Sequence, residues 1–172
     1  MKRLALLTAA LAFTLLPNLH AQAPAAPAAI QSALASDAGK LSDKFSALAG
    51  AMAGKYDYRP GPGVRSVGEV FNLIVAENAM LTATLTGAPA GPRPEPITDP
   101  AKLQEALKAS YAALAKAISA LPDSDLATPV KLFGRDFTRQ SAAMLLLGDQ
   151  HEHLGQSIAY ARVNGIVPPW SK

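Results

Sequence analysis

Residues 138–165 read TRQSAAMLLLGDQHEHLGQSIAYARVNG and have the pattern of one long helix. Asn164-Gly165 is a good termination signal, with Pro168 and Pro169 just beyond it, so the helix is predicted to end at about Asn164. Positions three and four apart lie on the same side of a helix. One such seam is apolar at both ends and polar in the middle, and its members are Ala142, Leu146, Asp149, His153, Gln156, Tyr160 and Val163.

Two further helical patterns carry a continuous apolar seam. The first runs from about Ile30 to Lys55. The third begins at Thr98-Asp99-Pro100, where a capping residue precedes a proline in the first turn. Both seams repeat at steps of four and three residues, strictly alternating in the first, which is typical of a helix packed on a core. The members are Leu34, Ala38, Leu41, Phe45, Leu48 and Met52 in the first helix, and Leu103, Leu107, Tyr111, Leu114, Ile118 and Leu121 in the third.

The second helical pattern starts at a capping box. In this motif the Ser66 hydroxyl oxygen accepts a hydrogen bond from the amide of Glu69, and the Glu69 side chain reaches back to the serine amide. The pattern continues to about Thr86. Segments rich in proline and glycine, at residues 56–64 and 87–96, separate it from its neighbours because neither residue type favours a helix interior.

The remaining segment, residues 124–137, gives no helical pattern and is predicted to be irregular, with a turn at Gly134. The chain has no alternating strand pattern longer than a few residues. Four amphipathic helices without strands indicate an all-α fold. We therefore predict a four-helix bundle over residues 30–172.

The N-terminus has the pattern of a cleavable signal peptide, residues 1–21. Lys2 and Arg3 precede an apolar stretch, Leu4 to Leu16, and small residues lead to a cleavage point after Ala21. The stretch has 13 residues, fewer than the roughly 20 that a spanning helix needs, so no stable membrane anchor is expected. Residues 22–29, QAPAAPAA, are predicted to be a Pro/Ala linker. The mature protein is then expected in the periplasm or secreted.

Composition excludes two classes of function. The net charge of +3 includes two basic residues of the signal peptide, and its removal leaves 14 basic against 13 acidic residues, a difference of +1. No basic run interleaved with aromatic residues is present, so nucleic acid is not expected as a partner. The chain contains no cysteine, which excludes a thiol nucleophile and a thiolate metal ligand.

The polar part of the fourth seam has three interpretations. Asp149 and His153 are i and i+4, so their side chains are neighbours. They are either metal ligands, or the hydrogen-bonded floor of a small-molecule pocket that includes Gln156 and Tyr160, or an ordinary wet helix face. A second apolar stripe, formed by Leu147, Leu154 and Ile158, favours the last interpretation if it is the one that faces the core. His151 points away from His153 and is predicted to be structural or exposed.

Three motifs resemble the DinB-like superfamily. They are KYDYRPGPGVRSVGEVFNLI at residues 55–74, FGRDFTRQ at 133–140 and EHLGQSIAYARVNGIVPPWS at 152–171. The resemblance covers nearly all of the mature chain. It implies a four-helix bundle in which three histidines commonly hold a divalent metal, one on the second helix and two at i and i+4 on the fourth.

Carried over residue by residue, the resemblance implies a degenerate site. The last ligand falls on His153, the preceding one on Asp149 and the second-helix ligand on Asn72. Aspartate is an acceptable ligand for zinc, nickel or manganese, whereas a neutral carboxamide is a poor one. In the competing interpretation the cavity remains without the metal, and the three side chains form a hydrogen-bonded cluster.

Three functional hypotheses follow from the residues and the resemblance. The first is an exported binding or stress-associated protein with a degenerate pocket for a small-molecule ligand and no strong catalysis. The second is a divalent-metal-dependent enzyme of the thiol-transferase or hydrolase type that uses Asp149 and His153. The third is a homodimer formed by helix packing, with no ligand.

Overall fold

The computed structural model describes residues 29–89 and 91–171. Within these ranges the chain forms four long helices, one short 3-10 turn and one β-hairpin. The helices are α1 (Ile30–Ala51), α2 (Val67–Thr86), α3 (Pro100–Ser119) and α4 (Arg139–Val163). The 3-10 turn is Asp123–Asp125, and the hairpin pairs β1 (Pro129–Leu132) with β2 (Arg135–Thr138). The prediction of four helices is confirmed.

Side-chain caps fix where the helices begin. The capping box at the start of α2 is confirmed, because Glu69 N donates to Ser66 Oγ at 3.2 Å and Ser66 N donates to Glu69 Oε2 at 2.8 Å. Asp99 caps α3 through a hydrogen bond from Lys102 N. The sequence analysis predicted that the first helix ends at about Lys55, but the helix ends at Ala51. Gly54 follows it with a φ of 83°.

The bundle has one core to which all four helices contribute. α3 packs against α1 and α2, and α4 packs against the same two helices. Every member of the two predicted seams on α1 and α3 is buried except Leu34, which is partly buried. An aromatic cluster joins three helices, since the Phe45 ring centroid lies 6.2 Å from those of both Phe71 and Tyr111. Each large side chain buried in this way stabilises the fold by roughly 1.5–3 kcal/mol.

The rotation of α4 lies between the two alternatives left open by its sequence. The line that faces the core includes Leu147 and Leu154, while Asp149 and His153 lie at the edge of the core, partly buried. The predicted seam is wrong at its C-terminal end, because Val163 is 72% exposed. The apolar stripe therefore packs in the core, and the polar residues lie beside it on the adjoining side of the same helix.

The expectation that residues 124–137 are irregular is wrong for β1 and β2, which add one hairpin to the mostly helical fold, whereas the predicted turn at Gly134 is confirmed. Val130 pairs with Phe137 and Leu132 with Arg135, so that Phe133 and Gly134 form a two-residue turn. Both turn residues have positive φ, 52° and 74°. Such turns favour Asn-Gly, and a non-glycine residue in the left-handed region costs on the order of 1 kcal/mol.

Some predictions lie outside the described residues. These are the signal peptide, residues 1–21, and the predicted linker except for Ala29. At the other end Trp170 packs against the core, with Lys44 Nζ lying 5.8 Å from its ring centroid. Within the described ranges, no helix is both long and apolar enough to cross a bilayer.

Candidate metal centre

Three ionisable side chains converge between α2 and α4. Glu77 comes from the middle of α2, and Asp149 and His153 come from successive turns of α4. One potential ligand atom from each lies within 4.8 Å of the other two. The Nε2 atom of His153 lies 3.6 Å from Asp149 Oδ2. The structure therefore brings together two of the three predicted ligands and adds a residue that the sequence analysis had not considered.

Glu77 is the least solvated of the three. The residue is only 7% exposed, and its Oε2 atom has no hydrogen-bond partner among the described residues. Burial, together with the negative charge of Asp149, raises the pKa of Glu77 to about 7, against the smaller opposing influence of His153 and two arginines. A buried carboxylate oxygen without a partner is costly, so this position favours a cation.

Hydrogen bonds fix the orientation of the His153 ring. The Arg65 carbonyl can only accept, so the Tyr160 hydroxyl donates to it, at 3.3 Å. The hydroxyl oxygen then accepts from Gln156 Nε2 at 2.8 Å, and Gln156 Oε1 faces His153 Nδ1 at 3.0 Å. Nδ1 therefore carries the hydrogen, and in the neutral ring Nε2 keeps its lone pair for the side occupied by Asp149.

The donor set fits a divalent metal ion. Two carboxylates and an imidazole suit zinc, manganese and nickel, and three protein ligands leave a coordination position open. Bonds to such ions are about 2.0–2.2 Å, which the observed convergence of ligand atoms allows after a small contraction. The partnerless Glu77 oxygen supports the same conclusion, because coordination would satisfy it.

A cavity of about 360 Å³ opens beside the three side chains. Phe133 at the hairpin tip and Leu145, one turn before Asp149 on α4, also line it. The exposed fraction of the side chain is 43% for Asp149 but only 16% for His153. A metal ion held by these three side chains would therefore lie beside a space large enough for a small molecule, with Asp149 as the most exposed of the three residues.

The structure assigns Asn72 a different task from the one predicted. Its Oδ1 atom accepts from Ile97 N at 2.7 Å, and its Nδ2 atom donates to the carbonyl oxygens of Ile97 and Gly68 at 3.0 and 2.9 Å. Both ends of the carboxamide are thus occupied in tying the segment before α3 to α2. We therefore replace Asn72 with Glu77 as the second-helix residue of the site.

The other predicted site residues have distinct positions. Gln156 and Tyr160 support the imidazole from behind and do not line the 360 Å³ cavity. His151 faces α1, where its Nε2 atom lies 2.9 Å from Asp37 Oδ2, and its side chain is 50% exposed. The prediction that His151 is structural or exposed is confirmed.

The sequence analysis did not predict Glu77, because the resemblance places the second-helix ligand at Asn72. A signal was present, since Glu77 is the only carboxylate within LIVAENAML, residues 73–81. A charged residue in the middle of an apolar helical run is rarely buried without a partner. The hairpin also had a signal, because residues 130–132 and 135–137 flank a two-residue turn that ends in glycine.

Comparisons with known proteins agree with this architecture. The family model of the DinB superfamily matches residues 39–157. A crystal structure of a DinB-like protein from Bacillus subtilis aligns with a TM-score of 0.65 and 20% identity, and covers 77% of this chain and 92% of its own. A DinB-like protein from Bacillus cereus aligns with a TM-score of 0.68 and 19% identity, covering 83% of this chain and 95% of its own.

None of the curated proteins matches the chain significantly. The structural likenesses, at 20% and 19% identity, establish a shared fold. The family model spans more than half of the sequence and includes α2, α3, the hairpin and most of α4. This chain belongs to the DinB superfamily.

Proposed function

We propose that this protein binds a divalent metal ion through Glu77, Asp149 and His153 and uses the open coordination position to bind a small molecule. The observation that carries the proposal is the convergence of the three ligand atoms, each within 4.8 Å of the others, together with a buried oxygen of Glu77, Oε2, that has no hydrogen-bond partner in the part of the chain that the structure describes. Such an arrangement is destabilising unless a cation completes it.

Each residue has a separate part in this proposal. Glu77 provides a desolvated negative charge, and Asp149 provides a second one at the mouth of the cavity. Gln156 holds the imidazole of His153 in one orientation, and Tyr160 holds Gln156. A divalent metal held there would supply Lewis acidity to a molecule in the open position.

The test is metal binding by untagged mature protein, titrated calorimetrically with Zn²⁺ and with Mn²⁺. We expect about one ion per chain, and loss of at least about 100-fold in affinity in His153→Ala, since even supporting residues contribute 10–100-fold. His151→Ala is the matched control, because that histidine lies two positions away and faces α1. Equal affinities in the two variants, or no binding by the wild type, would contradict the proposal.

A second candidate function is a metal-dependent enzyme of the thiol-transferase or hydrolase type. The 360 Å³ cavity beside the open position favours it, because catalysis needs room for a substrate next to the metal. Metal-loaded protein is assayed with glutathione and 1-chloro-2,4-dinitrobenzene, and with 4-nitrophenyl acetate. Turnover that disappears in His153→Ala and persists in His151→Ala supports an enzyme; absence of turnover leaves a binding protein.

We also propose that the protein is exported and acts in the periplasm or outside the cell. The support is the pattern of residues 1–21, with a basic start, an apolar stretch and small residues before the cleavage point. Mass spectrometry of protein recovered from the exported fraction is expected to find a chain that begins at Gln22. A full-length chain retained in the cytoplasm would contradict export.

A further inference from the structure

Phe133 is explained neither by the turn it occupies nor by the core. It lies at the first position of the two-residue hairpin turn with a φ of 52°, where asparagine, aspartate or glycine is favoured over an aromatic residue. The residue is also 58% exposed. A large apolar side chain that combines backbone strain with exposure to water is a candidate for a ligand contact.

The hairpin places Phe133 over two adjoining cavities. One is the 360 Å³ cavity beside the proposed metal site, and the other is a mainly apolar cavity of about 350 Å³ on the α2 side. Leu73, Glu77 and Phe133 line both of them. The walls of the second cavity also include Ala76, Met80 and Arg93. A molecule seated under Phe133 would therefore lie directly beside Glu77.

Cationic groups stand at the edges of this apolar space. Arg93 lines the apolar cavity, and Arg65 lines the cavity beside the metal site. Both residues are exposed, and both guanidinium groups act electrostatically on Glu77 by opposing the rise in its pKa. Within residues 29–89 and 91–171, neither arginine forms a salt bridge. Glu77 also lines both cavities, and a metal ion held at Glu77, Asp149 and His153 would offset its negative charge. With that charge offset, an apolar space with an unpaired guanidinium at its edge is complementary to an apolar molecule that carries a carboxylate.

We propose that the cavity under Phe133 binds a small amphipathic carboxylate, with its apolar body between Phe133 and α2 and its carboxylate paired with Arg93. The inference rests on the proposed function, because it names the class of molecule that would be held next to the metal. It adds a requirement for a specific aromatic contact and a specific cation. Neither residue belongs to the set of metal ligands.

The experiment compares 4-phenylbutanoate with 4-phenylbutan-1-amine, which have the same apolar body and opposite charge, by calorimetric titration of metal-free Glu77→Gln protein. In this background position 77 is neutral, as it would be with a metal ion offsetting its charge, and the substitutions of Phe133 and Arg93 are made in the same background. We expect the carboxylate to bind at least about 10-fold more tightly than the amine. Phe133→Asn is expected to lower carboxylate affinity by about 10-fold, the scale of a lost aromatic contact. Phe133→Tyr is expected to retain the affinity, and Arg93→Gln to abolish the preference for the carboxylate.

Thermal unfolding separates a ligand contact from a structural role. Phe133→Asn is expected to raise the melting temperature, because asparagine tolerates a positive φ better than phenylalanine does. Val163→Asn, which removes another exposed apolar side chain, is the control and is expected to leave carboxylate affinity unchanged. Lower affinity together with higher stability would identify Phe133 as a residue kept for binding.

Three results would overturn the inference. They are equal affinity for the carboxylate and the amine, unchanged carboxylate affinity in Phe133→Asn, and a wild-type dimer that Phe133→Asn converts to a monomer while neither probe binds. The last result would identify the hairpin tip as an interface between two copies of the chain. Because the probes are titrated without metal, failure here and failure of Zn²⁺ or Mn²⁺ binding are separate outcomes.

Discussion

Two polar layers lie one residue apart on the same pair of helices and differ in charge and in surroundings. Glu77 and Asp149 are ionisable and meet at the edge of the core. Their immediate neighbours, Asn78 and Gln150, are neutral and fully buried. Gln150 Nε2 donates to Asn78 Oδ1 at 2.8 Å, and Asn78 Nδ2 donates to Ser110 Oγ at 3.0 Å, which connects α4, α2 and α3.

Comparison of the two layers separates a structural role from a binding role for buried polar residues. The amide layer joins α4 to α2 through Gln150 Nε2 and Asn78 Oδ1, and it contributes to the alignment of the helices, although Gln150 Oε1 has no hydrogen-bond partner among the described residues. The carboxylate layer leaves Glu77 Oε2 without a partner and a cavity beside it. Each layer thus has one buried oxygen without a partner in the described ranges, and what distinguishes the carboxylate layer is its charge and the cavity beside it, which together indicate binding.

The largest expected effect concerns which residue of α2 is the ligand. Glu77→Gln removes a charged ligand and is expected to lower Zn²⁺ affinity by at least about 100-fold. Asn72→Ala is expected to leave Zn²⁺ affinity nearly unchanged, because that carboxamide is occupied by Gly68 and Ile97. Both variants are measured by calorimetric titration. The opposite ranking would restore Asn72 as the ligand and remove Glu77 from the site.

The next effect concerns the stability of metal-free protein. Because the folded-state pKa of Glu77 is about 7, against an ordinary value of 4.5, the folded state holds more protons in this interval and stability falls as pH rises from about 4.5 to 7. Glu77→Gln removes the buried charge and is expected to stabilise the protein by about 2–3 kcal/mol at pH 8, with little effect at pH 4.

Urea denaturation at the two pH values measures this difference. Glu152→Gln, an exposed acid on α4, serves as the control and is expected to change the free energy of unfolding little at either pH. The difference in free energy of unfolding between Glu77→Gln and wild type is compared at the two pH values. If that difference were the same at pH 4 and pH 8, Glu77 would not be held in a desolvated position.

A third effect tests the amide layer. Gln150→Ala leaves the buried Asn78 Oδ1 without a partner and is expected to lower the free energy of unfolding by about 1–3 kcal/mol. The metal site should be preserved, so Zn²⁺ affinity of the folded variant is expected to remain close to that of the wild type. If Gln150→Ala weakened Zn²⁺ binding as strongly as Glu77→Gln, the two layers would not be independent.

The smallest effect concerns support of the imidazole. Gln156→Ala removes the hydrogen bond that orients His153, and the expected loss of Zn²⁺ affinity is about 10-fold, at the lower end for residues that support a ligand. Gln156→Glu keeps an acceptor facing Nδ1 and is expected to retain affinity. Binding by Gln156→Ala that equals wild type would show that the ring needs no support.

Prediction from sequence succeeded where one helix alone decides the outcome. The capping box at Ser66 and Glu69 depends on four consecutive residues, and the seam of α3 depends on the period of a helix. The rotation of α4 could not be settled because two faces of that helix contain apolar residues, and only packing against α1 and α2 selects between them. Patterns within single helices therefore predicted the four-helix bundle, but they did not predict which polar side chains meet between helices.

The site required information that spans two helices. Asp149 and His153 share one helix, so their proximity follows from spacing. Asn72 and Glu77 lie about 140° apart around α2, so which of them joins the pair depends on which side of α2 packs against α4, and the spacing of Asp149 and His153 does not determine that. The competing hydrogen bonds of Asn72 come from Ile97, a residue 25 positions away whose contact no local pattern predicts.

The hydrogen bonds between Asn72 and Ile97 affect which substitutions the segment before α3 can tolerate. Residues 91–99 contain Pro92, Pro94 and Pro96, which limit backbone freedom, and every residue of the segment is exposed except Ile97, which is partly buried. The segment is therefore conformationally restricted and lies on the surface, and hydrogen bonds between Ile97 and Asn72 attach it to α2. If the proposed carboxylate binds there, substitutions between residues 91 and 96 are expected to change which molecules the neighbouring apolar cavity accepts without disturbing the core.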